Sequence, residues 1–397
     1  MIDLVSHQDC VGCKACGDVC PKGAIKYKIE NDGFWYPVID EDKCVKCNLC
    51  ENVCPVMHPV TGRDVKLDKA EVYACTLKDR ETRYNSTSGG LYYALAKTIL
   101  SHGGYLIGSA YDEKFTGAFH VVANDEGGLR KLMRSKYFQS DTEGIYKLTQ
   151  DLLKKGETVL FCGTPCQIGA LNNYVNEKLS ERLYAVDFVC RGINSPLAYT
   201  KYMDELRKKY HSELAEVHFK NKSRGWTNLG TRVVFQNGKV YYRNRYNDPW
   251  VNGFIVGNLY MRECCHSCQF QKLPRISDIS MGDFWGLRFT EEEAKYGVSL
   301  AIVNTEKGKR LFSESKEYLD IVEHTIEEAL KKNGAILAPA PRDDKREQFF
   351  ERIQNEDFSD VVWSLIGREW PKWWLISKKS EVRQILSKCK KYLLKKR

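Results

Sequence analysis

The sequence predicts an α+β chain in three parts: a small cysteine-rich module over 1–68, a larger mixed α/β domain over 69–340 and a basic helical tail over 341–397. Three observations carry this. Two four-cysteine runs stand within the first 55 residues. From residue 71 to 333, short apolar β-rich runs alternate with segments of helical period. The charge excess is confined to the end, where residues 372–397 hold ten Lys or Arg and one acid, equal to the whole net charge of +9.

The first run, CVGCKACGDVCP, places Cys10, Cys13, Cys16 and Cys20 before Pro21; the second, CVKCNLCENVCP, repeats this with Cys44, Cys47, Cys50 and Cys54 before Pro55. C-x2-C-x2-C-x3-C-P is the spacing of two-cluster ferredoxins, where three cysteines of a run wrap one [4Fe-4S] cube and the fourth ligates the other. The expected ligand sets are Cys10, Cys13, Cys16 with Cys54, and Cys44, Cys47, Cys50 with Cys20. Zinc sites pair C-x2-C units across a longer loop, which two complete runs fit poorly. With no signal peptide or apolar membrane run in view, the sixteen cysteines point to metal in a reducing, cytoplasmic compartment rather than to disulfides. So small a module has little core of its own, and the clusters should hold it together. Residues 24–39, AIKYKIENDGFWYPVI, read as two short strands around a turn at Asn31–Gly33. Two such cubes form a wire for single electrons, which needs a terminus at each end.

In the large domain, EVYACTL (71–77) reads as a strand. NSTSGG (85–90) leads into the helical period of Leu91–Leu100, and its N–H and hydroxyl groups suit either a phosphate or a plain helix cap. ETVLFCGTPCQIGAL gives a strand at 158–161, a tight loop from Cys162 to Pro165 and a helix from Gln167. Active residues of open α/β sheets sit at that strand-to-helix point. YAVDFVC ends a further strand at Cys190, and SPLAYTKYMDELRKKY is a helix opened by Pro196. TRVVFQNGKVYYR is a hairpin turned at Asn237–Gly238. CCHSC (264–268) and DISMGDFWG (278–286) follow, and strand, helix, strand, helix repeats from Val298 to Asn333. Cys162, Cys166, Cys190, Cys264, Cys265 and Cys268 thus fall at strand ends and in loops. Each alone would default to core. Their placement, and the C-x2-C of Cys265 and Cys268, favour a third metal site over a redox disulfide between Cys162 and Cys166.

As a set, NSTSGG, CGTPCQ, CRG (190–192), CCHSC and DISMGDFWG resemble the beta-subunit family of coenzyme F420 hydrogenases and dehydrogenases, over residues 1 to about 335. The resemblance implies a flavin-binding domain holding FAD. It places Ser86, Thr87, Ser88, Gly89 and Gly90 at the flavin phosphates and Gly163 and Thr164 beside the ring. Lys136 becomes a catalytic positive charge near flavin or substrate, with Cys166 a second catalytic candidate. The first-choice ligands of a third [4Fe-4S] cluster are Cys162, Cys190, Cys265 and Cys268, with Cys166 as the replacement. The implied function is an oxidoreductase that takes single electrons from a ferredoxin-like donor through the clusters to FAD and delivers a hydride to an organic substrate. That substrate is F420 or a sugar derivative of surface-polysaccharide synthesis; the alternative is an electron-transfer adaptor without substrate chemistry. A homo-oligomer stays open.

The tail brings Trp363, Trp370, Trp373 and Trp374, then Val382, Ile385, Leu386, Cys389 and Leu393 at helical spacing with basic residues on the other side. Such a helix suits either the anionic inner face of the cytoplasmic membrane or packing on its own domain or a partner. Charge elsewhere is balanced, which speaks against nucleic acid as a ligand.

Overall fold

Four parallel strands set the edge of the large domain at which Cys162, Cys166 and Cys190 lie. The computed structural model describes residues 2, 5–60 and 70–367. Its strands are β1 (Ile25–Ile29), β2 (Trp35–Ile39), β3 (Glu71–Leu77), β4 (Tyr105–Tyr111), β5 (Ala118–Ala123), β6 (Val159–Gly163), β7 (Leu183–Phe188), β8 (Leu214–Asn221), β9 (Gly230–Phe235), β10 (Val240–Asn244), β11 (Ile279–Asp283), β12 (Ser299–Val303) and β13 (Leu319–His324). The main sheet has the order β13-β3-β12-β11-β7-β6-β4-β5. β4, β6, β7 and β11 run parallel, and the remaining neighbours pair antiparallel. The carboxyl ends of the four parallel strands therefore share one edge. β3 runs in the same direction, because it and β11 both pair antiparallel with β12, so the loop after β3 joins that edge.

Helices cover both faces. Leu91–Ser101 and Glu306–Ser315 bury Leu95, Ile99, Leu311 and Phe312 against Leu106, Leu160 and Val186. Ile145–Lys154 and Pro165–Tyr174 bury Tyr146, Leu153, Ile168 and Leu171 against Ile107, Val159 and Phe161 on the other face. Parallel strands covered on both faces read as continuous apolar runs, which is how VLF at 159–161 was legible.

A second, three-stranded sheet, β10-β9-β8, extends the expected hairpin by one strand. Gly238 takes φ +80° in its turn. This sheet shares a core with the helix Pro196–Tyr210, around Tyr199, Tyr202 and Trp250. The helices Lys345–Arg352 and Phe358–Ile366 join the same core through Phe349, Ile353, Phe358 and Val362. Residues expected to begin a separate tail thus continue the large domain's interior. Trp370, Trp373, Trp374 and the basic helical pattern beyond them lie outside the described residues. Among the described residues, no helix is long and apolar enough to cross a membrane.

The N-terminal module forms its expected hairpin, β1 against β2. It is fastened to the large domain by polar contacts. Lys14, 6% exposed, pairs with Asp141 and Glu143, both at 2.8 Å. Asp18 accepts the N–H groups of Gly144 (2.7 Å) and Tyr146 (3.0 Å), capping the start of the helix Ile145–Lys154. Thr142 Oγ1 donates to Cys13 O at 2.7 Å. At Gly33, φ +75°, a Cβ would lie 2.2 Å from the Leu197 side chain, so this turn needs glycine twice over, for its backbone and for its contact.

Candidate functional site

Three cysteine groups emerge from the fold. Cys20, Cys44, Cys47 and Cys50 line one hollow of the module, with Cys47 exposed. Cys10, Cys13, Cys16 and Cys54 stand near one another: burial holds the Cys13 thiol well above its ordinary range, and the charges of Cys16, Cys54 and Cys10 add to it. The third group walls a cavity of about 190 Å³ at the sheet edge. It draws Cys166 from the helix after β6, Cys190 from the loop after β7, and Cys264, Cys265 and Cys268 from the segment before β11. Asp9, Val11 and Val56, close in sequence to Cys10 and Cys54, complete the wall. The cavity is thus next to the module.

Of the four cysteines that the sequence puts first, Cys190, Cys265 and Cys268 line the cavity and Cys162 does not; Cys166, their replacement, does. Cys162 is the fourth residue of β6 and packs with Leu160 in the core on the face of the helix Leu91–Ser101. Cys166 lies four residues on, in the first turn of the helix Pro165–Tyr174, whose start is fixed by Pro165 and a capping box between Thr164 and Gln167. Thr164 Oγ1 is 3.1 Å from Cys166 Sγ, and the Ile193 N–H points to Cys265 Sγ at 3.3 Å. Burial pushes the Cys166 thiol up to about 12, with Cys268 and Cys265 adding to it. As bare thiols these groups oppose one another's ionisation; a bound metal reverses that, because a coordinating thiol is deprotonated outright. Among the described residues, no three or more His, Cys, Asp or Glu side chains converge as donors to a single metal ion.

Beside the cavity the sheet splits. β4 pairs with β6 only from Tyr105–Val159 to Ile107–Phe161, so their carboxyl ends diverge. Around the split stand Lys136, Cys162, His120 and three buried hydroxyls without a partner, those of Tyr92, Ser109 and Tyr111. Burial lowers the Lys136 ammonium to about 7, partly offset by Cys162. Its Nζ donates to the carbonyls of Lys131 (2.9 Å) and Met133 (2.8 Å), at the end of the helix Glu126–Leu132.

The 85–90 loop is tied inward. Ser86 Oγ donates to Thr82 O (2.8 Å) and Ser88 Oγ to Val298 O (2.7 Å), while Thr87 Oγ1 is 3.2 Å from Ser135 Oγ. Gly89 presses on β3 and β12: a Cβ would lie 2.2 Å from Cys75 O. Gly90, φ +96°, opens the helix Leu91–Ser101. The serine hydroxyls are spent on backbone carbonyls, and the helix Leu91–Ser101 starts at Gly90 without a side-chain cap.

Residues 156–329 match the family described as the C terminus of the coenzyme F420 hydrogenase/dehydrogenase beta subunit, and residues 9–57 match the 4Fe-4S dicluster domain. The chain thus joins a 4Fe-4S dicluster module to a C-terminal domain of the coenzyme F420 hydrogenase/dehydrogenase beta-subunit type. These two domains support a role in iron–sulfur-mediated electron transfer. No curated protein matches the chain. Among solved structures it is similar to a chain of the xenon-derivatised F420-reducing [NiFe] hydrogenase complex from Methanosarcina barkeri, at 17% identity and TM-score 0.46, over 74% of this chain and 89% of that one.

Sequence reasoning missed several buried charges of this chain. Lys14 and Arg262 tie the module to the large domain, Arg275 pairs with Asp187, and Lys220 pairs with Asp283 of the DISMGDFWG segment at 2.5 Å. A lone basic residue carries no periodic signal; only burial reveals it. His120 was missed too. Its Nδ1 is 2.9 Å from Ser140 Oγ and its Nε2 3.3 Å from Cys162 O. Burial lowers it to about 4, opposed by the Cys162 carbonyl. Below pH ~6.5 the unfolded chain takes up a proton that the folded imidazole refuses, so stability falls as pH drops. His120 should contribute a loss of about 2 kcal/mol between pH 7 and pH 5. His120→Gln should flatten that part of the slope in urea midpoints; an unchanged slope refutes it.

Proposed function

We propose that this chain is an iron–sulfur flavoprotein oxidoreductase, fed with single electrons by a ferredoxin-like protein and reducing an organic substrate by hydride. The observation that carries the reading is the continuity of the cysteine groups. Cys47 is exposed, the set around Cys13 is buried, and Val11 and Val56, close in the chain to Cys10 and Cys54, line the same cavity as Cys166, Cys190, Cys265 and Cys268.

Cys10, Cys13, Cys16 and Cys54 would hold one cube, Cys20, Cys44, Cys47 and Cys50 the second, and Cys166, Cys190, Cys265 and Cys268 a third. Cubes move single electrons, and a flavin exchanges them for a hydride. The unpartnered hydroxyls of Tyr92, Ser109 and Tyr111 fit the polar edge of a flavin; Ser109 and Tyr111 lie toward the carboxyl end of β4, where open α/β sheets bind ligands, and Tyr92 in the first turn of the helix Leu91–Ser101. Lys136 supplies a positive charge there that burial has brought to about 7, so it can hold or release a proton near neutrality. Gly163 and Thr164 shape the turn between this place and the cavity.

The test is a count of iron, sulfide and released flavin per chain in protein purified without oxygen. About twelve irons and one FAD are expected for three cubes and a flavin. About eight irons without flavin would leave an electron-transfer adaptor and remove the oxidoreductase reading.

A further inference from the structure

Arg262 is 1% exposed, and its guanidinium meets no carboxylate among the described residues. Nε donates to Cys10 O (2.7 Å), Nη1 to Gln139 Oε1 (3.0 Å) and Nη2 to Trp35 O (3.0 Å). Its flat face lies over Tyr36, 4.4 Å from the ring centre. Other buried cations nearby have acids: Arg275 has Asp187, Arg346 has Asp32, and Lys14 has Asp141 and Glu143. A buried cation with neutral acceptors alone is costly unless an anion stands close. The groups beside Arg262 that can carry negative charge are Cys10 first, then Cys264, the Tyr36 phenol and Cys265. Gly12 makes the approach possible: a Cβ there would sit 2.4 Å from Gln139 Nε2 and 2.7 Å from Arg262 Nη1.

We infer that Arg262 is the fixed counter-charge of the Cys10, Cys13, Cys16 and Cys54 cluster and makes it the more easily reduced of the module's two. The inference rests on the iron–sulfur reading of those cysteines. Reduction adds one negative charge to a cube, and a buried cation in a low dielectric favours that form. The Cys20, Cys44, Cys47 and Cys50 hollow has Lys22 and Lys46 on its wall, but both are exposed and screened by water and salt. An electron from a one-electron carrier at the exposed Cys47 end therefore runs inward, toward the cavity. Arg262 acts on the cluster through charge and touches no substrate, so it is a positioning residue.

The test uses full-length protein purified without oxygen, titrated with redox mediators while the reduced clusters are followed by electron paramagnetic resonance. Iron and sulfide are counted in each sample. Arg262→Met should move one midpoint negative by at least a tenfold change in the reduction equilibrium, ~59 mV for one electron. The other module midpoint should stay put, and Arg262→Lys should shift the same signal less. Gln139→Glu keeps the arginine packed but sets a carboxylate against it, and should move the same midpoint the same way. Where Arg262→Met sheds iron, Gln139→Glu decides. Unmoved midpoints in an iron-replete variant, or equal shifts in Arg262→Met and Arg262→Lys, overturn the inference alone. Wild-type protein without iron and sulfide sinks the iron–sulfur reading and this inference with it.

Discussion

Cys166→Ala protein purified without oxygen is expected to carry about four irons fewer per chain than the wild type, while Cys162→Ala keeps the full count. The two cysteines are four residues apart and equally plausible from spacing, yet the fold gives them different surroundings. Cys166 faces Cys190, Cys265 and Cys268 across the cavity; Cys162 packs beside Leu160 and near Lys136. Alanine is a good helix former, and the capping box that starts this helix uses Thr164 and Gln167, so Cys166→Ala leaves its local structure intact. Iron loss would then report ligation rather than misfolding. Cys162→Ala should instead change flavin content or the flavin spectrum. Iron lost from Cys162→Ala and retained in Cys166→Ala would return the third ligand set to the one that the sequence put first.

That exchange marks where the sequence stops being legible. Motif spacing specifies ligands when they share one loop, as in the two N-terminal runs. It is silent on Cys166, Cys190 and Cys268, which three elements far apart in the chain bring to one cavity, because strand order brings them together. The strands themselves were readable: VLF at 159–161 is an apolar run because parallel strands bury both faces, and Asn237–Gly238 turned the hairpin. Residues 345–366, which the sequence reading assigns to the tail, carry a signal of core packing. Phe358, Val361, Val362 and Leu365 stand at i, i+3, i+4 and i+7, the stripe of a helix packed on a core, and all four are buried. The basic run after them masked that stripe.

Arg275→Met is expected to lower stability by about 3–5 kcal/mol at neutral pH, the cost of leaving a buried carboxylate alone. Arg275 Nη2 donates to Asp187 Oδ2 at 2.8 Å, with the side chains 2% and 0% exposed. Asp187 is the fifth residue of β7, paired with Gly163 in β6 and with Ser280 in β11, so its charge sits mid-sheet. Burial pushes its carboxyl up, and Arg275 is the main opposing influence. Without the guanidinium the folded carboxyl rises further above the unfolded value of ~3.9. The folded variant then holds a proton that the unfolded chain gives up, so its deficit is small in acid and grows as pH rises through the folded value. Urea midpoints for wild type and variant should separate more at pH 8 than at pH 5. Asp187→Asn combined with Arg275→Met should recover part of the loss, since no lone charge remains. A single variant within about 1 kcal/mol of wild type, or a gap that narrows with rising pH, contradicts this. The same arginine holds Phe270 O at 3.1 Å. It therefore ties the chain just after Cys268 to the strand that ends just before Cys190, and the geometry of the cavity's cysteines depends on a charge pair in the sheet behind them.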